Sequence, residues 1–172
     1  MDAYECKRNR CLMKTRGIIA EDFVNYKLPS LFISTAYCDF KCCKEGKFNK
    51  EVCQNAPLLE SSIRDIPIET IYDNYINNPI TKAVVIGGLE PMLQFNEVYE
   101  LIHLFRTHNI NCPFVIYTGY YPPEIENKLQ RLKYYNNIIV KFGRYIPNRP
   151  SRFDLILGVT LASDNQYAEV IS

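Results

Sequence analysis

No charge of one sign predominates in this sequence: twenty lysines and arginines stand against nineteen aspartates and glutamates, a net charge of +1. A broad nucleic-acid footprint needs a clear basic excess, so no nucleic-acid partner is expected. No apolar run approaches the ~18 residues of a membrane span. The opening residues, Met1-Asp2-Ala3-Tyr4-Glu5-Cys6-Lys7, hold no apolar signal core. The expectation is a cytoplasmic chain without a membrane partner. Internal repeats and low-complexity segments are lacking too, which sets repeat architectures aside. Histidine occurs only at His103 and His108. Five residues apart, they do not share a helix face as an i, i+4 ligand pair does, and His108 reads as a helix C-terminal group favourable to the dipole.

What is present is ordinary globular material, 172 residues that are 47% hydrophobic and 23% charged, enough for one domain with a core that needs no disulfides. Residues 1–16, with Arg8, Arg10, Lys14 and Arg16, read as an irregular, solvated N-terminal arm, and residues 17–172 as a single domain. Strand character is read at 17–26 and at 29–35. A cysteine-rich loop follows, from Tyr37 to about Pro57. Helical spacing at Ile68, Ile71, Tyr72, Tyr75 and Ile76 gives way to a buried strand at 82–86 closed by Gly87-Gly88. A helix over 96–108 takes Asn96 as its N-cap. Strand 113–117, a helix opened by Pro122 and Pro123, strand 137–142 and two short strands, 154–157 and 167–171, complete the order. Strands alternating with helices indicate βαβ units and an α/β fold with mostly parallel strands. Ligands of such sheets sit beyond the strands' carboxyl ends, where the cysteine loop, Gly87-Gly88 and Thr118-Gly119-Tyr120 all fall.

Seven cysteines are many for a chain in a reducing compartment, where clusters of them bind metal or carry redox chemistry. Cys38, Cys42, Cys43 and Cys53 share one sixteen-residue stretch. Thiolates are soft ligands that suit zinc or an iron–sulfur cluster. Structural zinc sites usually show two close pairs, whereas this spacing gives three ligands and a spare, because adjacent cysteines seldom both reach one metal. Three ligands on a four-iron cluster leave one iron open. Cys6 and Cys11 read as thiols of the arm, Cys112 as a small core residue. Lys141 and Arg144, flanking Gly143, read as a solvated pair. Most of the thirteen tyrosines read as packing at the core edge.

Three segments together resemble one family, the radical S-adenosylmethionine (SAM) enzymes, and within it the activating proteins of anaerobic ribonucleotide reductase. Cys38-x3-Cys42 matches the first half of that family's C-x3-C-x2-C loop, and Cys53-Gln54-Asn55 resembles its end, with ten residues between in place of two. Gly87-Gly88-Leu89-Glu90-Pro91 resembles the Gly-Gly-Glu-Pro segment that holds the SAM amino group, with Leu89 in excess. Tyr117-Thr118-Gly119-Tyr120 and Ser163-Asp164-Asn165-Gln166 resemble segments of the activating subgroup.

The resemblance implies a partial, open βα barrel with a [4Fe–4S] cluster at its mouth. Cys38, Cys42 and Cys53 would hold the cluster, with Cys43 as the alternative ligand, and Gly87, Gly88, Glu90, Pro91, Thr118, Gly119 and Tyr120 would bind SAM. It implies reductive cleavage of SAM to methionine and a deoxyadenosyl radical, which abstracts hydrogen from a glycine of a large glycyl radical enzyme such as anaerobic ribonucleotide reductase. A flavodoxin or ferredoxin would supply the electron. The rival readings are a radical SAM enzyme acting on a small molecule or peptide, and a zinc-stabilised α/β binding module without catalysis.

Overall fold

The computed structural model describes residues 11–172; Cys6, Arg8 and Arg10 lie outside them. The elements run β1 (Leu12–Asp22), β2 (Ser30–Thr35), α1 (Lys41–Gly46), β3 (Arg64–Pro67), α2 (Ile68–Ile76), β4 (Ala83–Gly88), α3 (Phe95–Thr107), β5 (Phe114–Tyr117), α4 (Glu126–Leu132), β6 (Ile138–Phe142), β7 (Arg152–Asp154), β8 (Val159–Leu161) and β9 (Tyr167–Val170). This is a mixed α/β fold. Seven strands form one sheet in the order β3-β1-β2-β4-β5-β6-β9, and β7 and β8 form a separate hairpin. The centre, β2-β4-β5-β6, is parallel; β1, β3 and β9 add antiparallel flanks. No helix among the described residues is long and apolar enough to cross a membrane.

Period-two alternation in the parallel strands produces two different faces. Leu31, Ile33, Val84, Ile86, Phe114, Ile116, Ile138, Val140 and Phe142 point to the helical side, where α2, α3 and α4 supply Ile71, Leu101, Phe105 and Leu132. The other face carries Phe32, Val85, Val115, Tyr117 and Ile139, partly covered by Leu157 and Leu161 from the β7–β8 hairpin. Helices thus cover one face, and the other is left to the hairpin and a cavity.

The main strands and helices fall where periodicity places them. The differences have local causes. β1 begins at Leu12, so Lys14 and Arg16, read as part of a solvated arm, lie in a strand whose pairing with β3 was not visible in the sequence. β1 also stops early, because the Asp22 carboxylate accepts from the backbone N–H of Val24 and Asn25 and turns the chain. The same device turns the expected strand 154–157 into a reverse turn: Asp154 ends β7, and its Oδ1 accepts from the Ile156 and Leu157 N–H groups, both at 3.0 Å. Helix α3 begins one residue before Asn96, with Gln94 at the cap. The Pro122-Pro123 turn is a short 3-10 helix ahead of α4.

Asp154 is buried, and its second oxygen accepts from Ala168 N–H of β9 at 3.0 Å. It therefore holds the hairpin against the sheet. Asp154→Ala leaves buried donors without an acceptor and is expected to cost at least about 1–3 kcal/mol. A lower urea midpoint at unchanged denaturant slope checks this; an unchanged midpoint contradicts it.

Candidate metal centre

The parallel strands end together. Ser34 pairs with Gly87 and Tyr117 with Lys141, on the face away from the helices. Above them lies a cavity of about 400 Å³, within the size range of small-molecule and cofactor sites. Its wall includes Cys38, Cys42, Cys53, Gly88, Glu90, Thr118, Gly119 and Lys141. The topology thus brings the three cysteines together with the glycine-rich end of β4 and the end of β5. Gly87, Pro91 and Tyr120 stand outside the lining. Cys43 is also outside it: its side chain is buried in α1, with its sulfur 3.8 Å from that of Cys42. Adjacent positions on a helix diverge, and here only Cys42 of the two faces the cavity.

The cysteine loop is fastened at its start, middle and return. At the start, Ala36 N–H donates to Gln94 Oε1 at 2.5 Å, and the Tyr37 carbonyl accepts from Glu90 N–H at 2.8 Å. Arg16 ties the start to the return: its guanidinium donates to the carbonyls of Ala36 (2.9 Å), Leu59 (3.0 Å) and Ser61 (2.6 Å). In the middle, Tyr120 OH donates to Asp39 Oδ2 at 2.6 Å. Helix α1 is held by Lys41, which pairs with Glu124, and by Glu45, which accepts from Arg144 Nη2 at 3.1 Å. Arg144 grips Glu124 with two parallel bonds of 2.8 and 2.5 Å, a fork geometry that fixes orientation as well as charge. Tyr120 is therefore a strut for the loop. Arg144 is buried in this network, which overturns its reading as a solvated residue. Arg16 gave no sequence signal beyond its charge.

Glu90 is almost fully enclosed. Its Oε1 accepts from Met92 N–H (3.0 Å) and Thr118 Oγ1 (2.7 Å), and its Oε2 from Gly119 N–H (2.8 Å). Burial raises its pKa, and these three donors work against that rise. A carboxylate offers about four acceptor sites, so one remains. Gly88 adopts φ +77°, and a side chain there would meet the Ser34 backbone at 3.0 Å. Only glycine allows strand β4 to turn this close to β2.

Burial pushes the Cys38 thiol up to about 11. Cys42 and Cys53 act on each other, lowering the Cys53 thiol to about 6 and raising that of Cys42. Among the described residues, no three His, Cys, Asp or Glu side chains converge tightly enough for a single metal ion. Cys38, Cys42 and Cys53 line one cavity, and soft thiolates are the donors an iron–sulfur cluster takes. The histidines lie elsewhere: His103 Nδ1 is 2.8 Å from Tyr135 OH, and His108 caps the end of α3.

The Arg144 and Lys41 charges beside Glu124 lower its carboxyl from 4.5 to about 2. A depressed carboxylate pKa stabilises the fold above the unfolded value and is lost as pH falls through the folded one. In Glu124→Gln, amides of Lys41–Gly46 are expected to exchange faster than in wild type at pH 6. The difference should shrink as the pH is lowered from 4.5 toward 2. Equal exchange at pH 6 removes the tether.

The comparisons agree with this geometry. A family model described as "4Fe-4S single cluster domain" matches residues 29–155, from the start of β2 past the end of β7, a span that contains the cysteine loop and the ends of β4, β5 and β6. No curated protein and no solved structure matches the chain. The chain belongs to the 4Fe-4S single cluster domain family, a family associated with radical SAM enzymes.

Proposed function

We propose that this iron–sulfur protein is a radical SAM enzyme that activates a glycyl radical enzyme, with Cys38, Cys42 and Cys53 as the three ligands of a [4Fe–4S] cluster. The observation that carries this reading is the shared cavity: three cysteines, the Gly88-Leu89-Glu90 turn and Thr118-Gly119 line one space. The reading takes the sheet and its hairpin as a partial, open barrel. Held by Cys38, Cys42 and Cys53, a cluster would supply the one-electron chemistry that cleaves SAM to methionine and a 5′-deoxyadenosyl radical able to take hydrogen from a glycine.

The chain's own residues orient that chemistry. Cys43 is buried outside the cavity, which favours Cys53 as the third ligand despite the longer spacing. Glu90 keeps one acceptor site for the ammonium of SAM, and its other contacts fix where that site points. Gly88 and Gly119 present no side chain, so a ligand can approach the backbone closely. Phe32, Tyr117, Val159 and Leu161 add apolar surface to the lining.

The partner is a large glycyl radical enzyme such as anaerobic ribonucleotide reductase, with a flavodoxin or ferredoxin as electron donor. Support for a protein partner comes from the turn after β1 and the β7–β8 turn, joined through Lys27 N–H and the Leu157 carbonyl at 2.8 Å. They leave Phe23, Val24 and Leu155 exposed, and Val24 also borders the cavity. Exposed apolar side chains on two joined turns, one of them bordering the cavity, suit a docking site.

Anaerobic reconstitution with iron and sulfide is expected to give about four irons per chain. Cys38→Ala, Cys42→Ala and Cys53→Ala should each lose most of them, and Cys43→Ala should keep them. Stoichiometric zinc without iron would remove the cluster reading. The wild-type protein with dithionite and SAM should then release methionine and 5′-deoxyadenosine. A fully loaded protein that releases neither excludes the radical mechanism and leaves an iron–sulfur protein of another kind.

A further inference from the structure

Lys141 does not fit the solvated reading that its sequence position suggests. It lies in β6 between Val140 and Phe142 and is 7% exposed. Its register neighbours are Tyr117 and Ala168, and Ile139, two residues earlier on the same face, is plainly apolar. The strand thus carries a charge only where that face meets the cavity. An ammonium has three donors. This one donates to the Gly143 carbonyl at 3.1 Å and stands 5.8 Å from the Tyr117 ring centroid. Among the described residues it forms no ion pair with a carboxylate. A buried ammonium that no carboxylate pairs directly is costly.

The groups that act on Lys141 electrostatically are Glu90 and Cys42; burial lowers its pKa to about 8, and these two oppose that. Both line the same cavity, as does Cys38. The Glu90 carboxylate accepts from three neutral donors and not from Lys141, so the ammonium shares the cavity, unpaired, with that carboxylate and the cysteine thiols.

We infer that Lys141 sets the reduction potential of the iron–sulfur centre, its enclosed ammonium favouring the reduced, more negative form. Net charge around a cluster and its burial are two determinants of its potential. A fixed positive charge in a medium of low polarity acts strongly and is little screened by salt. The inference rests on the cysteine ligands proposed above and does not require SAM.

The test compares Lys141→Met and Lys141→Arg with wild type after anaerobic reconstitution, at matched iron content. Midpoint potentials are read by redox titration with visible absorbance and electron paramagnetic resonance, with no SAM added. Lys141→Met is expected to shift the reduced-to-oxidised ratio at fixed potential at least tenfold toward oxidised, a fall of 59 mV or more for one electron. Lys141→Arg keeps the charge and should stay within threefold of wild type. If Lys141→Met does not load iron, Lys141→Gln, which retains a donor for the Gly143 carbonyl, carries the comparison. An unchanged midpoint in a fully loaded Met or Gln variant overturns the inference. So does an equal shift in Met and Arg, which would trace the effect to packing. An unchanged midpoint with weakened SAM binding would make Lys141 a ligand anchor and also overturn it. Because the potential is read without SAM, failure of the radical mechanism and failure of this inference are separate results.

Discussion

The site depends on a buried carboxylate. Glu90 follows β4, its backbone N–H holds the chain leaving β2, and its side chain accepts from Thr118 and Gly119 just after β5. One residue therefore joins three neighbouring strand ends on the cavity side. Enclosing a carboxylate is expensive unless its oxygens are satisfied. Three donors satisfy this one, and backbone donors to a charged acceptor are among the stronger hydrogen bonds in proteins. The geometry of the cavity wall follows, because Gly88, Thr118 and Gly119 are placed by the same contacts that offset the burial of Glu90.

The second constraint is the length of the cysteine loop. Ten residues separate Cys42 from Cys53, and a segment of that length has considerable conformational freedom to lose. The protein removes that freedom from outside the loop. Arg16 draws its start and return together through four carbonyls, and Arg144 and Glu124 hold α1. Arg16 lies in β1 and Arg144 just after β6, on either side of the strands β2, β4 and β5. Each guanidinium offers several donors in a fixed plane, which suits it to gathering groups that no regular secondary structure brings together.

The α/β order, the parallel centre and the grouping of the motifs, the cysteine loop among them, at strand ends were all readable in the residues. Each rests on local information: alternation along β2, β4, β5 and β6, helical spacing in α2 and α3, and four cysteines within one stretch. The errors lay where a side chain acts on a backbone or a charge at a distance. Asp22 and Asp154 end strands that look continuous by hydrophobicity, because a carboxylate captures the next amides. Arg16, Lys141 and Arg144 read as surface charges, because a lone cation among polar residues gives no sign of what folds over it.

The sequence by itself determined which residues can form strands, which can form helices and where soft metal ligands are concentrated, since composition and period act over a few neighbouring positions. Tertiary structure decided which of the adjacent Cys42 and Cys43 faces the cavity. It also fixed which arginines hold the cysteine loop and that Lys141 lies buried beside the thiols. Those outcomes depend on contacts between residues dozens of positions apart, brought together only when the parallel strands pair and their carboxyl ends meet.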